Sequence, residues 1–141
     1  MMKDPLENTN PRPCILVVDD DPSVAGVLNT ILEDWGYHVL IAHNGREGMD
    51  KVGKYVVDGI LLDMHMPVMD GKTMLDELRW SGYQMPVLAM SGGLDLPGLR
   101  QLLKEGAQGF FLKPFTLQSL KQYCQQFFDK REPSTPVSPL G

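Results

Sequence analysis

The chain has 141 residues, enough for one domain with a substantial core, and its 43% hydrophobic and 22% charged residues are ordinary for a soluble globular protein. Its net charge of −5, without a cluster of Lys and Arg, argues against direct nucleic-acid binding by this segment, because neutralising phosphates requires a basic face. Two distant cysteines, no apolar run of membrane-spanning length and no signal-peptide core argue against a disulfide framework, a zinc site and membrane insertion, and predict a cytoplasmic setting.

The N-terminal part of the chain predicts a strand and a helix after a short arm. Residues 1–11 are mostly polar and are expected to form a disordered arm. The continuous apolar run 14–18 predicts a buried strand. Asp21 is placed to cap a helix that begins at Pro22. Apolar residues then repeat at helical spacing as far as Gly36, namely Val24, Val27, Leu28, Ile31 and Leu32.

Two further strand and helix pairs follow in the middle of the chain. Residues 39–42 and 59–63 are short apolar runs and predict the second and third strands. The second helix, about 46–54, has few large apolar residues. The third helix spans 72–80 and follows Asp70, which with Gly71 is interpreted as a turn. Packing positions in and around these helices include Met74, Leu75, Leu78, Trp35 and Trp80.

The last third of the chain predicts two more strand and helix pairs. The runs 87–90 and 109–112 predict the fourth and fifth strands. Leu99, Leu102 and Leu103 indicate a helix after Pro97. Thr116 is placed to cap the last helix, whose inward residues are expected to be Leu117, Leu120, Tyr123, Cys124, Phe127 and Phe128. Residues 131–141 alternate Pro with Ser and Thr and are interpreted as a flexible tail or linker.

Strands and helices therefore alternate five times, which is typical of an α/β fold with a parallel sheet covered by helices on both faces. The predicted domain spans residues 12–130. In a parallel sheet all strands end at the same edge, where ligands bind in open α/β folds. The first, third, fourth and fifth strands end at polar residues, and these should meet at that edge. They are Asp19 and Asp20, Asp63, Ser91 and Lys113.

This collection of side chains predicts phosphoryl chemistry. Three neighbouring carboxylates repel one another, and a divalent cation relieves the repulsion. Carboxylate oxygens suit Mg²⁺, which also binds phosphate oxygens. An ammonium and a hydroxyl donor complete a site for a group with several anionic oxygens. A carboxylate such as Asp63 can itself be the nucleophile, which gives an aspartyl phosphate.

Four motifs extend this interpretation to a family. They are VVDD at 17–20, LDMHMPVMDG at 62–71, PVLAMSG at 86–92 and FFLKPF at 110–115. With these motifs in order, the chain resembles the receiver domain of two-component response regulators, including chemotaxis regulators. The resemblance covers residues 12–130 and implies a flavodoxin-like (βα)5 fold, with three layers and strand order 2-1-3-4-5.

The resemblance also implies roles for the residues at the sheet edge. Asp63 would accept a phosphoryl group from the phosphohistidine of a histidine kinase or a phosphotransfer protein. Asp20, Asp63 and the backbone carbonyl of His65 would ligate Mg²⁺, and Asp19 would help through a metal-bound water. Lys113 would pair with the phosphoryl oxygens.

A switch is implied as well. Ser91 would move to bind the phosphoryl group and Phe110 would turn inward, which would change the surface of the fourth helix, fifth strand and last helix. Receivers commonly dimerise or dock partners there. Ser91 and Phe110 replace the more frequent Thr and Tyr, so Phe110 has no hydroxyl to bond. His65 and Gly93 lie where family members vary and where phosphoryl lifetime is set.

Simpler interpretations remain for the single residues. Asp19 and Asp20 could be first-turn carboxylates of a helix, Ser91 a loop residue, Lys113 a solvated lysine and Phe110 a core aromatic. His65 could bind a metal through its ring, although a solvent-exposed role is favoured because the sequence places no second His or Cys nearby.

Two other functions compete with the phosphorylation switch. One is a pseudo-receiver that only binds proteins, which the complete acidic set argues against. The other is a Mg²⁺-dependent aspartyl-phosphate phosphatase, which the lack of a cap domain argues against, as does His65 where a second carboxylate is expected. The sequence leaves open whether this is a stand-alone shuttle or part of a longer regulator.

Overall fold

A computed structural model of the protein describes residues 12–66, 68–93 and 96–129. Within these residues, five strands alternate with five helices. The strands are β1 (Cys14–Val18), β2 (His38–Ala42), β3 (Gly59–Asp63), β4 (Val87–Ser91) and β5 (Gly109–Leu112). The helices are α1 (Pro22–Asp34), α2 (Gly45–Lys54), α3 (Gly71–Trp80), α4 (Leu96–Lys104) and α5 (Leu117–Phe127). The predicted arm 1–11 and tail 131–141 lie outside the described residues.

The strands form one parallel sheet in the order β2-β1-β3-β4-β5, which confirms the flavodoxin-like arrangement. β3 and β4 lie in the interior of the sheet, and every residue of both strands is buried. This burial explains why they are continuous apolar runs that do not alternate with polar residues. Asp63 and Ser91, the last residues of these two strands, are therefore carried to the edge by rigid, fully paired backbone.

Side chains from the two faces of the sheet form two separate cores. Leu16, Leu62 and Ala89 belong to the core beneath α2, α3 and α4. Val17 and Leu61 belong to the core beneath α1 and α5. Successive side chains of a strand point to opposite faces, so one apolar run supplies both cores. Of the residues of the last helix that were predicted to point inward, Leu120, Cys124 and Phe128 are fully buried. Tyr123 and Phe127 are partly buried against the same core.

Two packing predictions are wrong. The side chain of Trp80 is 91% exposed. It lies two residues beyond Leu78, the last buried position of α3, and two residues correspond to a rotation of about 200° around a helix. Leu117 was expected to point inward and is 58% exposed, because it is the first residue of α5 and precedes the buried stripe that begins at Leu120.

Asp70 has a more specific role than the predicted turn. It is the N-cap of α3, and its carboxylate accepts a hydrogen bond of 2.8 Å from the backbone N–H of Thr73. This bond satisfies one of the free N–H groups at the start of the helix. It also lowers the pKa of Asp70, because the ionised carboxylate is the better acceptor.

Candidate acidic site at the carboxyl edge of the sheet

Asp19, Asp20 and Asp63 lie together at the carboxyl ends of β1 and β3. One carboxylate oxygen from each residue lies within 4.8 Å of the others. Asp19 and Asp63 are buried, whereas Asp20 is exposed. Two carboxylates thus form the floor of the site and the third faces solvent, an arrangement that is open to a ligand from outside.

Lys113, which follows β5, reaches the same carboxylates. Its Nζ lies 3.3 Å from Oδ2 of Asp19 and 3.6 Å from Oδ1 of Asp63. The other carboxylate oxygen of Asp19 accepts a hydrogen bond of 2.9 Å from the backbone N–H of Asp21. Asp19 is therefore not the cap of α1; Asp21 has that role, accepting from the N–H of Ser23. The interpretation of Lys113 as a solvated lysine is excluded by these two ion pairs.

The surroundings of Asp63 oppose its ionisation. Burial raises its pKa, and so do the negative charges of Asp19 and Asp20. The backbone N–H of His65, which donates to Oδ1 of Asp63 at 3.1 Å, acts in the opposite direction, as does the ammonium of Lys113. When all four side chains are ionised, three carboxylates face one ammonium, so the site is short of positive charge.

This donor set fits a hard divalent cation. Mg²⁺ prefers oxygen ligands and is commonly held by one or two carboxylates together with waters and phosphate oxygens. The clustered oxygens of the three aspartates supply that kind of ligand, and a cation bound there would offset the repulsion from Asp19 and Asp20 that, after burial, raises the pKa of Asp63. Within the described residues this cluster contains only the three carboxylates, and the ring of His65 is not part of it.

Ser91 lies beside this site and is held by two hydrogen bonds. Its Oγ accepts a hydrogen bond of 3.2 Å from the backbone N–H of Gly93. The Nε2 atom of His65 lies 3.2 Å from the same Oγ. His65 is an exposed residue, as expected, but its ring contacts Ser91, which the sequence analysis did not predict.

The register of the sheet is the signal that could have identified this contact. Asp63 is paired with Met90, and the backbone N–H of Met64 donates to the carbonyl of Met90 at 3.0 Å. The segments that follow β3 and β4 therefore begin next to each other in the fold. Because the two strands are adjacent only in the folded sheet, spacing along the chain does not reveal the pair.

The start of α3 fixes the end of β3 by direct packing. A Cβ atom at Gly71 would lie 2.5 Å from the carbonyl oxygen of Asp63 and 2.7 Å from Cα of Met64. Only glycine allows this close approach, since backbone atoms cannot move aside as a side chain does. The Asp70–Gly71 pair thus caps the helix and also brings it against the residue that carries the acidic site.

Phe110 lies away from the carboxylates, on β5. It is paired with Ala89 and is partly buried against the core beneath α2, α3 and α4. β4 and β5 are also joined beyond their paired residues, since the N–H of Lys113 donates to the carbonyl of Ser91 at 2.8 Å. Ser91, Phe110 and Lys113 are therefore connected through one strand pair.

No helix among the described residues is long and apolar enough to cross a bilayer.

Comparison with protein families identifies a match over most of this chain. The profile described as the response regulator receiver domain matches residues 15–125. This range contains every strand of the sheet except Cys14, the first residue of β1, and every residue of the acidic site.

Individual relatives agree with this match. The chain is 34% identical over 115 residues to the probable C4-dicarboxylate response regulator DctR of Priestia megaterium, covering 80% of this chain and 50% of that protein. It is 36% identical over 133 residues to the transcriptional regulatory protein ZraR of Escherichia coli K12, covering 90% of this chain and 30% of that protein. The chain thus spans half or less of the length of these relatives.

A solved structure matches over its whole length. The chemotaxis protein CheY4 of Vibrio cholerae is 30% identical, with a TM-score of 0.78 over 84% of this chain and 100% of that one.

Proposed function

Because the chain belongs to the response regulator receiver domain family, we propose that Asp63 is the residue that accepts the phosphoryl group from a phosphohistidine. The chain is a signalling module of two-component systems and not a classical enzyme. The observation that carries the assignment to Asp63 is how the two buried carboxylates are engaged. Both oxygens of Asp19 have a partner, Oδ1 the N–H of Asp21 and Oδ2 the ammonium of Lys113. The contacts of Asp63 with the N–H of His65 and with Lys113 both fall on its Oδ1.

The transfer step uses groups that are present on this chain. A carboxylate oxygen of Asp63 attacks phosphorus, the bond between phosphorus and the donor imidazole nitrogen breaks, and the electron pair stays on that nitrogen. With a proton on the other ring nitrogen of the donor, the products are an acyl phosphate on Asp63 and a neutral imidazole. Lys113 lies where it would pair with the phosphoryl oxygens, and such positioned charges supply most of the catalysis in phosphoryl transfer.

Asp19, Asp20, Asp63 and the backbone carbonyl of His65 would hold Mg²⁺, with Asp19 acting through a bound water. When bound, the ion neutralises the charge of the carboxylates and of the phosphoryl oxygens. The clustering of the three carboxylates and the raised pKa of Asp63 support this proposal.

The proposed output passes through Ser91 and Phe110 to the surface formed by α4, β5 and α5. Among the residues whose burial is described, α4 exposes Leu103 and β5 exposes Leu112. Exposed apolar residues of this kind favour contact with another protein. We propose that this surface docks a partner or a second copy of the chain.

The domain boundaries belong to the proposal too. We propose that residues 12–130 form the receiver, flanked by an arm and by a tail or linker. The activity of the whole protein is also a proposal: the matched relatives include a transcriptional regulatory protein that is longer than this match, so control of an output domain is one form that signalling would take. The proposed setting is the cytoplasm, where histidine kinases use ATP to make phosphohistidine.

The two competing functions have less support. A scaffold without phosphorylation has no need of three clustered carboxylates with a lysine ion-paired to two of them. A phosphatase would need a second carboxylate two residues after Asp63, whereas His65 stands there and its ring contacts Ser91.

An intact-mass measurement tests the assignment. The protein is incubated with Mg²⁺ and acetyl phosphate, beside the Asp63→Asn and Asp70→Asn variants. We expect the wild type and Asp70→Asn to gain one phosphoryl mass and Asp63→Asn to gain none. Asp70→Asn is the matched control because it removes a carboxylate that caps α3, outside the acidic cluster. A gain in Asp63→Asn equal to that of the wild type would contradict the assignment.

A further inference from the structure

The Ser91 hydroxyl is engaged by two groups of this chain. Ser91 is 1% exposed, and its Oγ lies 3.2 Å both from the backbone nitrogen of Gly93 and from Nε2 of His65. A serine hydroxyl offers one proton and two lone pairs. The Gly93 N–H occupies one lone pair, and the imidazole takes either the second lone pair or the proton. In both cases the bond to His65 must break if the serine side chain turns.

His65 contacts the acceptor as well as the hydroxyl. Its backbone N–H donates to Oδ1 of Asp63 at 3.1 Å, while its ring binds Ser91. One residue thus connects, through its main chain and its side chain, the carboxylate that is to be phosphorylated and the hydroxyl that is to respond. His65 is itself exposed, although Met64 before it is buried, so removal of the ring leaves no cavity in the core.

We propose that the imidazole of His65 is a positioning residue that holds the Ser91 hydroxyl in its resting place, so that a phosphoryl group on Asp63 must displace this contact before Ser91 binds it. The inference rests on the proposed function, in which Ser91 contacts the phosphoryl group. It assigns His65 an action through Ser91, separate from any effect of its side chain on the access of water to the phosphoryl group.

The affinity for a phosphoryl analogue tests this action. Beryllium fluoride is titrated into the Mg²⁺-saturated protein, and the NMR resonance of the Gly93 amide is followed because this amide is bonded to the Ser91 hydroxyl. His65→Ala removes the competing partner and should tighten binding by about 2- to 10-fold, the range expected for one hydrogen bond. His65→Gln places an amide nitrogen at a reach similar to Nε2 and should restore an affinity close to that of the wild type.

A double-mutant cycle separates this action from others. In the Ser91→Ala background, His65→Ala should leave the affinity unchanged. Equal tightening in both backgrounds, or weaker binding by His65→Ala alone, would overturn the inference. His38→Ala is the control, since this exposed histidine begins β2 at the opposite edge of the sheet.

A measurement on the resting protein is independent of phosphorylation. Nitrogen-15 spectra of the imidazole should show that Ser91→Ala shifts the Nε2 resonance of His65 and leaves that of His38 unchanged. An unmoved Nε2 resonance would overturn the inference even if Asp63 is phosphorylated. If the wild type neither binds beryllium fluoride nor gains a phosphoryl mass, the proposed function itself fails and the inference fails with it.

Discussion

Lys113 is the residue on which the charge balance of the acidic site depends. Its ammonium lies within 3.6 Å of Asp63 and 3.3 Å of Asp19, and it lowers the pKa of Asp63 against the effect of burial. A cation at this position would stabilise the negative charge of the phosphoryl oxygens but would repel a metal ion. Its removal should therefore have opposite effects on two measurable properties.

We predict that Lys113→Met slows phosphorylation by acetyl phosphate by about tenfold or more, because a positioned charge on the phosphoryl oxygens is lost. The same variant should bind Mg²⁺ more tightly, because the three carboxylates no longer share their charge with an ammonium. Phosphorylation is followed by intact mass and Mg²⁺ affinity by calorimetry. A parallel loss of both would instead indicate that Lys113 only maintains the fold of the site.

Asp70 gives a second prediction at the scale of a residue. Asp70→Ala should lower the free energy of unfolding by about 0.5–2 kcal/mol at neutral pH, the usual cost of losing an N-cap. Asp70→Asn should lose much less, because an amide oxygen also accepts the Thr73 N–H. Urea unfolding of the three proteins measures these differences.

The pH dependence of the Asp70 effect has a defined sign. The folded-state pKa of Asp70 is lowered, so its contribution is present above the unfolded value of about 4 and is lost as the pH falls through the lower folded value. The difference in the free energy of unfolding between wild type and Asp70→Ala should be constant from about pH 6 to about pH 8 and should shrink below about pH 4. A difference that grows on acidification would rule out the cap as its source.

At the scale of elements, the contact between α3 and the end of β3 decides how the site is placed. A Cβ at Gly71 would meet the backbone of Asp63 and Met64 at 2.5 and 2.7 Å. Gly53, in α2, has no atom within 4 Å of such a Cβ. Substitution of Gly71 and substitution of Gly53 by alanine should therefore have opposite effects on stability.

We predict that Gly71→Ala destabilises the protein by about 1–3 kcal/mol, the usual cost of overpacking a site that cannot yield. Gly53→Ala should stabilise it by up to about 1 kcal/mol, because alanine is the better helix residue. Thermal unfolding of both variants tests the pair. Similar effects of the two substitutions would mean that α3 moves away from β3 at little cost.

The sequence predicts the bounds of an element well where one hydrophobic pattern runs along the whole element. β1 and β3 have their predicted bounds, because buried parallel strands are uninterrupted apolar runs. β5 also has its predicted bounds, although it is an edge strand with Leu112 exposed. Helix ends are less determined. Trp80 is apolar but out of phase with the buried face of α3, whereas Leu117 is in phase with Leu120 and Cys124 but is the first residue of α5, before the buried stripe begins. The strand order came from the family resemblance, since alternation alone leaves several parallel topologies.

The same distinction applies to the acidic site. Asp63, Ser91 and Lys113 were predictable because each comes at the end of a strand or directly after one, and parallel strands share an edge. The contact between His65 and Ser91 was not, because it depends on the register between β3 and β4 and on the path of the chain after β3, which the strand order does not specify.

At the scale of the whole molecule, the reactivity of the two cysteines depends on different degrees of unfolding. Cys124 is fully buried on α5, and burial raises the pKa of its thiol to about 12. Cys14, at the first position of β1, is only half-buried, with a pKa that burial and Asp58 raise. A thiol reacts as its thiolate, and both the thiolate fraction and the access of reagent are small at Cys124.

We predict that a thiol reagent, used at about pH 8, labels Cys14 first. It should label Cys124 only in molecules that have unfolded globally, because only there does this thiol become accessible. Its rate at Cys124 should rise with urea in parallel with the unfolded fraction. Mg²⁺ that binds the folded state should slow it, by mass action. Peptide mass spectrometry separates the two sites, and fast labelling of Cys124 without denaturant would contradict this prediction.

The ion pair between Asp19 and Lys113 joins residues that are 94 positions apart. During synthesis on the ribosome, the aspartates at the ends of β1 and β3 emerge well before the lysine that completes their charge balance. A nascent chain shorter than residue 113 therefore lacks the complete acceptor pocket and should be a poor substrate for a kinase. Competence to accept a phosphoryl group should thus appear in one step, when β5 joins the sheet.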